Sequence, residues 1–369
     1  MLDGLSSLEP FFPQLLGRAL IEEDNSTAEE FLSRHRILVT GAGGSIGSAL
    51  TEMLLHIGPS QLVLLDHHEN SLFQLRQRVM AESLCDHVPT RFILADVRDR
   101  RKIAAVLDEL SPEIVFHLAA YKHVPLAEDS PEEFVSINVL GTWHLLAEAR
   151  RVGVKKIVYP STDKAVNPPS IYGATKKAVE IMLQAVAAEE PNTKLTAVRL
   201  VNVLGAHGGV IEIFERQIRS GRSPTITDPA MTRYWITLQE ALYLLAQAAA
   251  SNDSGNILVL DLGDPVKVAD IALELWKMLR PANEEFRAQC IGMRPGERLS
   301  EYLVESGEFT APTPSKGILQ VKNRKPKRYS LAQMKDLIGA LQELIDANAK
   351  AELRDRLFTF VQSARESED

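Results

Sequence analysis

Two segments hold side chains whose types and spacing could move protons and hydride. Tyr172 and Lys176 stand four residues apart, which on a helix puts both on one face. An ammonium beside a phenol favours the phenolate and draws its pKa down from about 10 toward neutrality. Such a pair can take a proton from a sugar hydroxyl while hydride leaves for a nicotinamide. Upstream, Ser161-Thr162 closes an apolar run, and Asp163-Lys164 follows it. An acid and a base side by side suit an elimination, although a surface ion pair would read the same. A third segment, Gly41-Ala42-Gly43-Gly44-Ser45-Ile46-Gly47, separates an apolar run from a helical pattern. Gly41 permits the tight turn, Gly44 lets backbone approach a pyrophosphate, and Gly47 lets the helix pack on the strand. The phosphates then meet the helix N-terminus at Ser45 and Ile46.

Asp66 ends the next apolar run, close to the ~20-residue separation at which a carboxylate meets the adenosine ribose. A carboxylate repels a 2′-phosphate, so NAD is favoured; the neighbouring His67 and His68 keep NADP open. Asp96 ends the third run, where it would reach the adenine edge or simply cap its loop.

Positioning these groups takes a particular scaffold. Short apolar runs start at Arg36 and recur at 61–65, 91–95, 114–117, 156–159 and 196–200. Helical patterns at 45–57, 71–83, 100–110, 131–152 and 175–189 lie between them. That alternation predicts an α/β fold with a doubly wound parallel sheet. The expected division is an arm over 1–35 with one or two short helices, a nucleotide-binding domain over 36–205 and a smaller substrate lobe over 206–330. A segment at about 231–262, with a helix over 237–250 and a strand over 257–260, returns to the main domain; 268–279 is another helix. The basic run 322–328 reads as a solvated linker, and 331–369 as a tail holding two amphipathic helices.

Composition excludes several classes. With 45% apolar and 24% charged residues the chain is globular, and a net charge of −8 argues against nucleic acid or anionic lipid as partner. Cys85 and Cys290 are far apart and in no metal-type spacing, so neither a disulfide framework nor a metal site is expected, and a reducing compartment fits. No run approaches the ~18 apolar residues of a membrane span, and the first residues lack signal-peptide character. A cytoplasmic protein is expected.

The segments that match a known family are Gly41–Gly47, His117–Pro125, Ser161–Ala165, Tyr172–Lys176, Asn202–Gly205, Met231–Trp235 and Gly292–Glu297. In that order the chain resembles an extended short-chain dehydrogenase/reductase of the nucleotide-sugar type. Within that class it is similar to the polysaccharide-biosynthesis UDP-N-acetylglucosamine 4,6-dehydratases. The resemblance implies a Rossmann domain, a UDP-sugar partner and a homo-oligomer. It adds Val97, Ala119, Ala120 and Tyr121 to the cofactor-binding set, with Tyr172 and Lys176. It makes Lys164 the C5 base, Asp163 the acid for the C6 hydroxyl and Thr162 a member of the catalytic set. It assigns Lys122, Asn202, Arg233, Arg294 and Glu297 to the pyrophosphate or sugar. This chemistry asks for a lysine of depressed pKa and a protonated aspartic acid, and burial pushes both that way. Related glucose-nucleotide dehydratases carry Asp-Glu where this chain has Asp163-Lys164, and simple 4-epimerases lack the acid/base pair. Two other readings use the same sequence: a 4- or 5-epimerase, and a non-catalytic nucleotide-binding partner of a glycan assembly complex. Long members of the family carry an N-terminal membrane region and often methionine at the position of Tyr172; short members carry tyrosine.

Overall fold

Aliphatic runs flanked by glycines and helix caps become buried parallel strands, and the amphipathic stretches between them become the helices that cover the sheet. The computed structural model describes residues 8–82, 87–206, 208–281, 283–324 and 328–364. The start of the arm, Ser83 at the end of the expected helix, Cys85, the centre of the basic run (325–327) and the last residues of the tail lie outside that set.

The main sheet contains β1 (Arg36–Thr40), β2 (Gln61–Asp66), β3 (Thr90–Leu94), β4 (Ile114–His117) and β5 (Lys156–Thr162). It continues with β6 (Lys194–Leu200), β7 (Asn256–Leu260), β8 (Glu308–Pro312) and β9 (Ile318–Asn323). Their order is β8-β9-β7-β6-β5-β4-β1-β2-β3. The strands from β3 through β1 to β7 run parallel, and β8 and β9 add an antiparallel edge. The order reverses direction between β1 and β4, and in open α/β sheets ligands bind beyond the carboxyl ends of the strands at that point.

Helices α1 (Ser45–Ile57), α2 (Glu69–Ala81), α3 (Arg100–Leu110), α4 (Thr142–Arg151) and α5 (Ile171–Glu189) are followed by α6 (Val210–Arg219) and α7 (Leu238–Ala250). The last three are α8 (Val268–Leu279), α9 (Leu331–Asp346) and α10 (Lys350–Ser363). Side chains of β1 alternate between two cores. Leu38 joins residues of α3, α4, α5, α9 and α10, whereas Ile37 and Val39 join those of α1, α2 and α7. A third core belongs to the smaller lobe. There Phe12, Leu15 and Leu16 of the arm pack with Phe214 of α6 and with Ile271 and Leu275 of α8. The arm is pinned by Arg18, whose guanidinium grips both oxygens of Glu240 at 2.7 and 2.9 Å and the carbonyl of Trp235 at 3.0 Å.

Four features differ from the expectation. The segment 206–330 does not stay in the smaller lobe: β8 and β9 return to the main sheet, with Val259 opposite Leu319. β8 is the edge strand, with most of its length exposed, and β9 beside it ends in exposed residues, so both lack the apolar runs that mark buried strands. Lys322 and Asn323, expected in a linker, end β9. Helix α5 begins at Ile171 rather than 175, because the Ser170 hydroxyl accepts the Gly173 N–H at 3.2 Å and caps it. The stretch 131–152 is helical but contains a π turn over Ser136–Gly141, a feature often found at functional sites. Among the described residues no helix is long and apolar enough to cross a membrane.

Candidate active site

The glycine turn and the carboxyl ends of β1, β2 and β4 form one wall of a cleft of about 210 Å3. Gly41 has a φ of +70°, and a Cβ there would lie 2.7 Å from the Ala119 nitrogen. A Cβ on Gly47 would lie 2.1 Å from the Gly41 carbonyl oxygen, so any side chain would push α1 off the turn. A Cβ on Gly44 would meet only the Gly41 oxygen, at 3.3 Å, which leaves its other side open to a ligand. Ser45 and Ile46 form the first turn of α1 directly beyond it.

Asp66 lines the cleft and braces the turn. One of its oxygens accepts the Gly43 N–H and the other the His68 N–H, both at 2.8 Å. Although burial opposes it, these bonds and the adjacent His67 hold the carboxyl below its usual range, and His67 is raised in return. Asp96 also lines the cleft, but the Arg98 guanidinium grips both its oxygens and the Arg98 N–H meets one of them at 2.8 Å. Val97, Ala119, Ala120 and Tyr121 complete the expected wall. Tyr121 is held by Asn138 of the π turn, which accepts its N–H at 2.9 Å and donates to its carbonyl at 3.1 Å. The same amide donates to Thr175 of α5 at 3.0 Å. Asn138 therefore ties this cleft to α5, a role its lone position in an apolar stretch did not signal.

Thr162, Asp163 and Lys164 form the turn at the end of β5, and α5 approaches it closely. A Cβ on Gly173 would lie 2.1 Å from the Lys164 carbonyl oxygen. Glycine next to Tyr172 is what lets the phenol reach this turn. The Asp163 Oδ1 accepts the Thr162 hydroxyl at 2.9 Å and the Lys164 ammonium at 3.1 Å. Two electrostatic expectations are corrected. Burial raises the Tyr172 phenol to about 12, and the ammonium that pulls it back down is that of Lys164. Lys176 instead donates to the Pro160 carbonyl at 2.8 Å and sits 4.4 Å from the Tyr159 ring centre, and burial lowers it to about 7. Lys164 is not depressed: Asp163 and Glu301 outweigh burial and raise it. Asp163 is raised, as acid chemistry requires, by burial and by Glu301.

Glu301 joins this cluster without any local sequence signal. Its Oε1 lies 2.8 Å from the Lys164 Nζ and 3.2 Å from the Arg233 Nε, and its Oε2 accepts the Asn202 amide at 3.0 Å. The only available signal was an accounting one, since two buried cations near one carboxylate need a second anion. Arg233 is buried, and it donates to the carbonyls of Thr232, Leu299 and Arg298. Here it anchors the 298–301 loop instead of presenting its fork to the cleft. Arg298 fastens the same loop to the turn after β5 through the Val166 carbonyl at 2.7 Å. Arg294 and Glu297 stand farther out, where the Glu297 carboxylate accepts the Arg294 N–H at 3.0 Å and closes their turn. Gly296 brings that turn against Ser170 and Val124. Lys122 is exposed, and partial burial of its ammonium lowers its pKa. Cys290 is a free, exposed thiol. Among the described residues no group of three His, Cys, Asp or Glu could hold a metal ion.

The sheet order, the glycine turn and the Tyr172/Lys176 helix after β5 define an extended short-chain dehydrogenase/reductase fold. The chain belongs to the polysaccharide biosynthesis protein family, whose model matches residues 37–323. It is 40% identical over 295 residues to the capsular polysaccharide biosynthesis protein CapD of Staphylococcus aureus, covering 80% of this chain and 49% of that one. The chain thus spans about half the length of that relative. It is 31% identical over 280 residues to a UDP-N-acetylglucosamine 4,6-dehydratase (inverting) of Campylobacter jejuni, covering 75% and 79% of the two chains. UDP-glucose 4-epimerases also occur among its relatives. The X-ray structure of Pen from Bacillus thuringiensis superposes with a TM-score of 0.71 at 27% identity, covering 81% of this chain and 90% of that one.

Proposed function

We propose that the chain is a nucleotide-sugar 4,6-dehydratase that converts UDP-N-acetylglucosamine to a UDP-4-keto-6-deoxy sugar for polysaccharide biosynthesis. The observation that carries this reading is the buried Asp163, bonded to Lys164 and placed beside Tyr172. A 4-epimerase needs only the Tyr172/Lys176 machinery and leaves this acid/base pair idle. A binding-only role needs none of the four.

NAD fits the cleft because Gly44 leaves backbone open where a pyrophosphate would lie and Asp66 presents a carboxylate where a ribose would lie. When bound it supplies the oxidant that takes hydride from C4 and returns it to C6. Tyr172 takes the C4 hydroxyl proton. The resulting ketone acidifies the C5 proton, which Lys164 removes in its neutral form. Asp163 protonates the C6 hydroxyl, which leaves as water.

Incubation with UDP-N-acetylglucosamine is expected to give a product lighter by one water, with deuterium at C5 when the solvent is deuterated. A product of unchanged mass would favour the epimerase. Asp66 is expected to select NAD, because its ionised carboxylate faces the ribose end of the cleft. Binding of NAD and NADP to cofactor-stripped protein tests this. Asp66→Asn should narrow the preference, and tighter binding of NADP by the unaltered chain would refute it.

A further inference from the structure

The turn after β5 and the loop that carries Glu301 bring two carboxyl groups together out of water. Asp163 is 1% exposed and Glu301 6%. The Asp163 Oδ1 has two donors, the Thr162 hydroxyl and the Lys164 ammonium. Its Oδ2 is fully buried and meets no donor. What lies beside Asp163 is the Glu301 carboxylate. An ionised carboxylate with an oxygen buried in that way would carry an uncompensated cost. Two neighbouring buried carboxylates do not both stay ionised.

We propose that Asp163 and Glu301 share one proton, and that Glu301 is a positioning residue that keeps Asp163 in its acid form beside the Lys164 ammonium. Which of the two keeps the charge follows from their partners. Glu301 faces Lys164, Arg233 and the Asn202 amide. Asp163 faces Lys164, Thr162, Tyr172, Glu301 and, more distantly, Tyr234. Two cations and an amide hold the charge on Glu301. The proton stays on Asp163, and Oδ2 is the oxygen with room for it.

This inference rests on the dehydratase reading for its catalytic consequence, and there the protons balance. Lys164, whose side chain reaches solvent, first loses its resting proton to water; it then accepts the proton lost from C5, and Asp163 gives one to the departing C6 oxygen, so one water leaves the sugar. The pair is then Asp163 carboxylate and Lys164 ammonium, 3.1 Å apart. The Lys164 proton returns to C5 as hydride reaches C6, and the proton that Tyr172 took from the C4 hydroxyl replaces, through solvent, the one Asp163 gave, so acid and base are both restored. The negative Glu301 makes Asp163 the better acceptor in that exchange, while its contact with Nζ keeps the lysine aimed at the turn.

The sign of the pH effect follows. Asp163 works protonated, so kcat falls as pH rises through its pKa. The Glu301 charge raises that pKa, so Glu301→Gln moves the falling limb to lower pH. A shift of about one unit lowers kcat on the order of ten-fold on the alkaline side. Single-turnover C4 oxidation, followed by the 340 nm absorbance, is expected not to slow in Glu301→Gln, because the Glu301 charge opposes ionisation of the Tyr172 phenol. Glu301→Asp, which keeps the charge, is expected to restore the position of the limb. An unshifted limb in Glu301→Gln, or the same shift in Glu301→Asp, would overturn the proposal. A second measurement needs no substrate. The infrared spectrum of the resting protein at neutral pH should show a protonated-carboxyl band that Asp163→Asn removes and Glu301→Gln weakens. Absence of that band in the unaltered protein overturns the shared proton. A band present without any 340 nm signal on UDP-N-acetylglucosamine leaves the shared proton standing and rejects the substrate reading instead.

Discussion

Lys164→Ala is expected to stop exchange of the C5 hydrogen with solvent while binding of cofactor and UDP-sugar stays nearly intact. The lysine acts only after C4 has been oxidised, on a proton that the ketone makes acidic. Loss of a general base typically costs about 10²–10⁴-fold, and that is the expected fall in turnover. Its side chain is about a quarter exposed, with the ammonium between Asp163 at 3.1 Å and Glu301 at 2.8 Å. It can therefore reach solvent to exchange protons and the turn to deliver them. Mass analysis of the sugar after incubation in deuterated water reads the effect. Wild-type washout in Lys164→Ala would assign the base to another group.

The charge environment of Lys164 is set partly by residues far from it in the chain. Burial alone lowers a lysine, and that was the basis for expecting a depressed pKa. What reverses the sign is Asp163 together with Glu301, the latter over a hundred residues away in the chain and brought in by a loop that Arg233 and Arg298 fasten. By contrast, most strands and the glycine turn of the first half were legible, because the runs of β1, β2, β4 and β5 are buried on both faces and Gly41 and Gly47 each have a steric task at their own position. The β8–β9 edge was not legible, since one solvated face breaks up the apolar signal. The same limit applies to Arg233 and Asp96. Their types suggested ligands, yet their hydrogen bonds go to backbone carbonyls and to Arg98. The start of α5 was written in the sequence as Ser170, a capping residue, and it places Tyr172 within the helix's first turn.

Tyr172→Phe is expected to slow C4 oxidation by about 10²–10⁴-fold. The phenol is the group at the catalytic turn suited to accept the C4 hydroxyl proton, and Gly173 is what admits it there. With its pKa raised to about 12 by burial, the phenol stays protonated near neutrality unless a cation draws it down. Lys164 already does part of this, and Lys176, four residues on, is parked on the Pro160 carbonyl. A base that must be ionised works better as pH rises toward its pKa, so C4 oxidation in the unaltered protein should accelerate with pH and Tyr172→Phe should lose that slope. Tyr172→Met separates two mechanisms, because long members of the family often carry methionine at this position. If the phenolate starts the reaction, Tyr172→Met should be as slow as Tyr172→Phe in the single-turnover rise at 340 nm. Full speed in Tyr172→Met would assign the C4 proton to water or to Asp163. That route would need Asp163 ionised at the first step and protonated at the third, against the environment that burial and Glu301 create. The resting arrangement at the turn, with its proton held on Asp163, therefore favours the tyrosine.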